Sequence, residues 1–355
     1  MMLKDLCFEI IQTCPNNCLF CSSCASIDKD KKIELNIFKK TIDHLITLGG
    51  IEEISISGGE PFLHPDLFEM IGYCKEKNIR VVLFTSGIKK TKKISTLELE
   101  NIVNEIKEKY NRYLEQGMEE KEYQKHIKNE LNQLSYYVNQ EYSAISRKEM
   151  EYLKYIGLDK IVFDFQATEE DSYNYVMDTK NMLTNVITSM VRATASNLDT
   201  DAHFIPMKCN YKEFPDLIEC LNIGEIKNLS ILNFVPQGRG KDNSKSLSLN
   251  SEEMEEFKQI YDATYKKFNG NIRIGIPLVK NDVHLCTAGF DKLVIKYDGT
   301  VLPCPAFKEY DLDKLHKLEI ETPNIYTDLD KILIKKGSRI HPLCKEVYAF
   351  DKSIK

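Results

Sequence analysis

The chain has 355 residues, enough for a barrel and an appendage, with 42% hydrophobic residues to build a core. Its net charge of −6 and pI near 5.8 argue against a general binder of nucleic acid or membrane surfaces, and no apolar run is long enough to span a bilayer. Eleven cysteines, an odd number, with no signal-peptide core at the start, point to reduced thiols, metal ligation and the cytoplasm rather than to disulfides.

Leu6 to Gln12 reads as the first strand, and at its carboxyl end stands Cys14-Pro15-Asn16-Asn17-Cys18-Leu19-Phe20-Cys21. Three cysteines at C-x3-C-x2-C wrap one short loop around a metal centre. A structural zinc site closes with four ligands, and an electron-transfer [4Fe–4S] cluster takes four cysteines. A cluster held by three leaves one iron open for chemistry. The competing reading adds Cys24 as a fourth thiolate, since Cys18-x2-Cys21-x2-Cys24 looks like half a ferredoxin run. That run ends in Cys-Pro, whereas here the proline follows the first cysteine, which favours three.

Ile33 to Leu48 carries apolar residues at helical spacing and stops at Gly49-Gly50. A second strand, Glu53 to Ser57, runs into Gly58-Gly59-Glu60-Pro61, two glycines that let the backbone approach a ligand, then a carboxylate. A helix over Asp66 to Lys77 and a buried strand over Arg80 to Gly87 follow. Strands and helices alternating at this rhythm imply βα units and a parallel sheet. From about Lys89 to Tyr155 the rhythm breaks into two helical stripes with a bend at Gln116-Gly117, the pattern of an inserted helical hairpin.

The alternation resumes with a strand at Asp159 to Phe165 and a helix at Asn181 to Ala193. A strand at Asp201 to Met207, a helix at Phe214 to Leu221 and a sixth strand at Leu229 to Val235 come next. Lys241 to Ser251 reads as a loop, and Ser251 to Phe268 as a helix capped by its serine. From about Asn271 short β-segments and turns suggest a second module. In it Lys292 to Tyr297 alternates as a strand, Asp298-Gly299 is a turn dipeptide, and Val301-Leu302 returns. Cys286 and Cys304 near the base of this hairpin bring two thiolates together, and Cys344 is the later cysteine. Cys7, Cys74, Cys209 and Cys220 read as small buried hydrophobes. Cys209, on the loop after the fifth strand, is also a candidate catalytic hydrogen-atom donor.

The C-x3-C-x2-C loop followed by Gly58-Gly59-Glu60 resembles the radical SAM superfamily. The resemblance implies an α/β fold, a partial (β/α)6 TIM-like barrel over 1–270 with an insertion at about 89–155, and a small twitch-like β/α module over 271–355. It implies an enzyme with a [4Fe–4S] cluster on Cys14, Cys18 and Cys21, whose open iron binds S-adenosylmethionine (SAM) and whose electron releases a 5′-deoxyadenosyl radical. Gly58, Gly59 and Glu60 then grip the methionine amino group, and Phe20 packs near the adenine. Thr85, Ser86 and Gln166, with Asp164 and Thr168, lie where the family binds methionine, ribose or substrate. Gln237 and Arg239 lie in a glycine-rich turn offered to the adenine edge, with Arg239 able to pair with a carboxylate or phosphate. For each of these polar residues an ordinary turn or surface role is the alternative.

The run Cys286-x12-Gly299-x4-Cys304 resembles the opening of the SPASM and twitch modules, which hold auxiliary iron–sulfur clusters. The four further cysteines of a full SPASM pattern are absent, so Cys344 completes the shorter, twitch-like set; a zinc site or plain buried thiols is the alternative. The implied partners are SAM, a peptide substrate (alternatively a nucleotide or other small metabolite) and a reductant such as flavodoxin or ferredoxin, with no nucleic acid and no membrane. An iron–sulfur electron carrier is the reading from another class.

Overall fold

The computed structural model describes residues 2–91, 93, 95–275 and 286–334, without the side chains of 133 and 136–139; Cys344 lies outside the described residues. The strands, in chain order, are β1 (Asp5–Ile11), β2 (Glu53–Gly58), β3 (Arg80–Thr85), β4 (Ile88–Lys90), β5 (Tyr142–Ala144) and β6 (Lys160–Asp164). They continue with β7 (Thr200–Phe204), β8 (Asn228–Ile231), β9 (Asn271–Ile274), β10 (Lys292–Ile295) and β11 (Val301–Leu302). Nine of them form one sheet in the order β11-β10-β1-β2-β3-β6-β7-β8-β9, and β4 pairs with β5. Every neighbouring pair in the large sheet is parallel except β10 with β11.

Parallel strands must be covered on both faces, and the sequence makes the two faces different. One row is aliphatic and aromatic: Leu6, Phe8, Ile10, Ile54 and Ile56 are fully buried. Phe8 packs on Phe38 of the helix Leu35–Thr47, ring centroids 5.0 Å apart. The opposite row mixes polar residues with Val82, Phe84 and Val162 and lines cavities enclosed by the strands. Near the amino ends it is neutralised in pairs, Arg80 with Glu53 at 3.0 Å and Lys160 with Asp201 at 2.9 Å.

The six strands β1, β2, β3, β6, β7 and β8 stand where the sequence places them, but the elements between and after them differ in instructive ways. The insertion forms its own unit over 89–143, helices Thr96–Glu115 and Glu120–Asn139 joined at Gln116 and Gly117. It stops short of the expected 155, because Arg147–Tyr155 is the covering helix that precedes β6. That helix opens with a Ser146/Glu149 capping box, buries Met150 and Leu153, and packs on helix Leu183–Ala195. An unexpected helix, Glu170–Met177, precedes the latter and ends at Asp178 in the left-handed region (φ 45°). Arg239–Asp242 and Ser244–Leu247 are short helices rather than loop. Helix Ser251–Thr264 is capped by Asn250, in a box with Glu253, not by its serine. The sheet does not stop at 270: β9 extends it beside β8, and the β10–β11 hairpin extends it beside β1.

Candidate active site

The segment after β1 is held from three sides. Gly59 N–H donates to Ile11 O (2.6 Å) and Glu60 N–H to Thr13 O (2.9 Å), which fastens the loop to the end of β2. The two glycines are needed for this contact: a Cβ at Gly58 would meet Ile11 O at 2.2 Å, and one at Gly59 would meet Thr13 O at 2.1 Å. The close approach read from sequence as made to a ligand is therefore made to the end of β1. On the second side, the loop's Asn17 and Leu19 N–H groups donate to Met177 O and Val176 O at the end of the unexpected helix (3.1 and 2.9 Å). On the third, Arg239 Nε donates to Cys18 O (2.9 Å), Nη2 to Ala25 O (2.6 Å) and its backbone N–H to Cys21 O (3.1 Å). Two of the arginine's side-chain donors thus go to loop carbonyls, and the residue also lines the adjoining cavity.

So held, Cys14, Cys18 and Cys21 line one cavity of about 380 Å³ together with Gly58, Gly59 and Phe20, at the carboxyl ends of the strands. Burial pushes the Cys14 and Cys18 thiols up; next in weight, the Glu60 charge acts on Cys14 and the neighbouring thiols act on Cys18. Among the described residues no three thiol, imidazole or carboxylate groups converge tightly enough to grip a single metal ion. A cube of four irons is wider than one ion, and three thiols lining one cavity, buried at Cys14 and Cys18 and half-buried at Cys21, suit it by donor type. Its positive charge supplies what deprotonating such thiols requires. Cys24 is not among the residues lining the cavity and has positive φ (48°).

The polar residues expected around SAM are placed less uniformly. Glu60 is fully buried behind the cavity and already satisfied. Its Oε1 accepts from Phe62 N–H (3.0 Å) and Thr85 Oγ1 (2.8 Å), and its Oε2 from Ser86 N–H (2.8 Å) and Ser86 Oγ (2.6 Å). Burial raises its pKa against the pull of these donors. Thr85 and Ser86 line the cavity, but their hydroxyls are turned to Glu60. Gln166 cross-links strand ends: its amide nitrogen donates to Asp164 and to His203 O, and its Oε1 accepts from Ile205 N–H (2.9 Å). Asp164 does line the cavity, with burial pushing its carboxyl up to about 6. Thr168 donates to Glu213. Gln237 and Cys209 are not among the lining residues; burial pushes the Cys209 thiol up to about 11.

Sequence reasoning passed over three groups. Asn16, inside the cysteine loop, lines the cavity with its side chain unpartnered. His203 of β7 does so too, held neutral because burial, then Arg273 and Lys160, lower its pKa to about 4. Lys308 reaches the cavity from beyond the hairpin and pairs with Glu9 of β1. The polar row of β1 was the available signal for the last. Cys286 and Cys304 both pack, with Cys7, against a small core of Ala288, Val294, Leu302, Phe307 and Leu315.

A parallel partial barrel with a three-cysteine loop at the carboxyl ends of its strands is the arrangement of a cofactor-dependent TIM-like enzyme. Residues 8–114 match the family described as the radical SAM superfamily. An S-adenosylmethionine-dependent nucleotide dehydratase of Selenomonas ruminantium is 32% identical over 79 residues, 22% of this chain and 28% of the relative. A PqqA peptide cyclase of Bradyrhizobium diazoefficiens is 30% identical over 81 residues, 22% of this chain and 21% of the relative. The chain thus spans under a third of either relative's own length. Among solved structures, Streptococcus suis SuiB bound to its precursor peptide SuiA superposes with a TM-score of 0.61, at 14% identity, over 92% of this chain and 63% of that one. anSMEcpe with bound AdoMet and a peptide gives 0.57, at 16% identity, over 92% and 79%. At these identities the structural likeness is one of fold.

Proposed function

We propose that the protein binds a [4Fe–4S] cluster through Cys14, Cys18 and Cys21, binds SAM in the adjoining cavity, and modifies a peptide by radical chemistry. The observation that carries the reading is that three thiols, buried at Cys14 and Cys18 and half-buried at Cys21, line one cavity at the strands' carboxyl ends. When bound, such a cluster supplies the electron that cleaves the sulfonium of SAM to a 5′-deoxyadenosyl radical. The chain's own part is to hold and to exclude. Arg239 and the Gly58-Gly59 contact fix the loop, Phe20, Phe84 and Val162 give the cavity apolar walls, and Asp164 offers a carboxylate to it.

A peptide substrate is supported by the peptide cyclase relative and by the peptide-bound structures of the same fold. A nucleotide is the second reading, favoured by the dehydratase relative. Cys286 and Cys304, sharing one small core, are proposed to hold an auxiliary iron–sulfur cluster, with Cys344 as the third thiol. Among the described residues no helix is long and apolar enough to cross a membrane; the free cysteines support the proposal of a cytoplasmic protein served by a flavodoxin- or ferredoxin-type reductant.

The test is anaerobic reconstitution with iron and sulfide, then reduction in the presence of SAM. 5′-Deoxyadenosine is expected from the wild type, none from Cys14→Ala, and near-normal amounts from Cys24→Ala. Reversible redox with no nucleoside product would leave an electron carrier. The Cys286→Ala, Cys304→Ala double variant should lose one cluster's worth of iron and keep SAM cleavage.

A further inference from the structure

Away from the cysteine loop, the outer layer of helices has a gap. Helix Leu183–Ala195 makes its main helix contact with Arg147–Tyr155, and helix Phe214–Ile223 makes its own with Ser251–Thr264. Between the two lies a cleft of about 290 Å³, tied by Thr194 Oγ1 donating to Gly224 O at 3.0 Å. Met190 and Ile226 are buried in it, at 3% and 1% exposure, while Val191 and Ile223 stand 45% and 76% exposed. Single exposed aliphatic side chains need no explanation. These converge: Ile187 and Val191 lie one turn apart on one helix, Glu219 and Ile223 one turn apart on the other, and all four line the same cleft.

Charge says what covers it. Among the described residues, the charged groups lining the cleft are Asp216 and Glu219, both exposed and both acidic. Arg192, beside Val191 in sequence, spends a guanidinium nitrogen on Ile145 O at 2.9 Å and does not line the cleft. A second copy related by a two-fold axis would bring the same carboxylates together, like charge against like. We propose that this cleft docks a cationic amphipathic helix of a partner chain. Its aliphatic anchors enter between Val191 and Ile223, and its lysines or arginines meet Asp216 and Glu219, in the manner of a helix laid into an apolar groove. The site is independent of the cavity at the strands' carboxyl ends and of the chemistry proposed there: the two share no lining residue.

The experiment uses the full chain and two fluorescent helical peptides of about 14 residues. Both carry the same leucine face; one has lysine at every polar position and the other glutamate. Anisotropy at about 0.15 M salt should show the lysine peptide binding and the glutamate peptide not. Ile223→Asp and Val191→Asp should each weaken the lysine peptide about 10-fold or more. The sign is decisive, because each variant adds a negative charge, and general attraction of a cation to an acidic protein would tighten binding instead. The double variant Asp216→Lys, Glu219→Lys should reverse the preference to the glutamate peptide. Two single variants at exposed positions keep the test standing if one fails to fold. Equal binding of the two peptides, binding of neither, or unchanged or tighter binding in the aspartate variants overturns the proposal. So does a dimer in analytical ultracentrifugation that Ile223→Asp dissociates, since the occupant would then be a second copy of the chain.

Discussion

Replacing Lys308 by Met would strand a charge in the barrel. Lys308 Nζ lies 2.7 Å from Glu9 Oε1, with side-chain exposures of 12% and 0%. Ser23 Oγ donates to the same oxygen, and Oε2 has no partner. Burial alone would lower the Lys308 pKa, but Glu9, with a smaller contribution from Cys7, outweighs it and holds the ammonium charged. At an effective dielectric of about 20, unit charges at this separation attract by about 6 kcal/mol. Most of that is offset by taking both ions out of water, so the pair adds little over an apolar replacement. Removing one partner is different, because Glu9 then stays buried and uncompensated, at a cost of about 3–5 kcal/mol. Urea unfolding followed by circular dichroism should show that loss for Lys308→Met. The double variant Lys308→Met, Glu9→Gln should recover most of it. A single variant costing less than about 1 kcal/mol, or a double variant as unstable as the single, would refute the reasoning.

Gly59→Ala places a Cβ 2.1 Å from Thr13 O and 2.6 Å from Gln12 O, so the cysteine loop must move off β2. A loss of about 2–3 kcal/mol and reduced iron per chain after reconstitution are expected; wild-type iron content would contradict this. Arg239→Gln removes charge-assisted donors to Cys18 O and Ala25 O, and should cost about 1.5–3 kcal/mol and speed hydrogen exchange across residues 14–26, while unchanged exchange would deny the clamp. His203 has its pKa depressed to about 4 from an ordinary 6.5. Its contribution to stability is therefore intact above pH 6.5 and lost as pH falls toward 4, where the unfolded chain takes the proton first. His203→Phe should flatten that part of the stability–pH curve by up to about 3 kcal/mol, and parallel curves for variant and wild type would rule this out.

What the sequence made legible was what repeats or clusters locally. The six barrel strands, the cysteine loop after β1, the bend at Gly117 and the hairpin at Gly299 all follow from apolar alternation or turn chemistry within a few residues. Helix Glu170–Met177 was missed because it is short; its acidic first turn, Glu170 and Asp171, was the available sign. The cap of helix Ser251–Thr264 was misplaced by one residue because Asn250 and Ser251 are both good caps, and only the Glu253 partner chooses between them. The roles of Glu60 and Arg239 were not legible. A carboxylate after two glycines looks the same whether it faces a ligand or four protein donors, and an arginine in a glycine-rich turn does not announce which carbonyls it will find. Lys308 with Glu9 is the extreme case, a pairing that depends on β10 lying beside β1.

The three-sided hold on the cysteine loop also sets an order of assembly. Cys18 and Arg239 are 221 positions apart, and the other anchors belong to β2 and to the helix before Leu183. A nascent chain therefore carries its three cysteines long before it has the parts that shape them. Distant parallel pairing is slow to form, so the thiols pass through a period when they are close in sequence and unconstrained in space. Iron delivered then would meet a flexible peptide, and iron delivered after β8 and the Arg239 turn have docked would meet a finished receptacle. A finished receptacle at these thiols thus exists only once the barrel has closed, not when the motif has been synthesised.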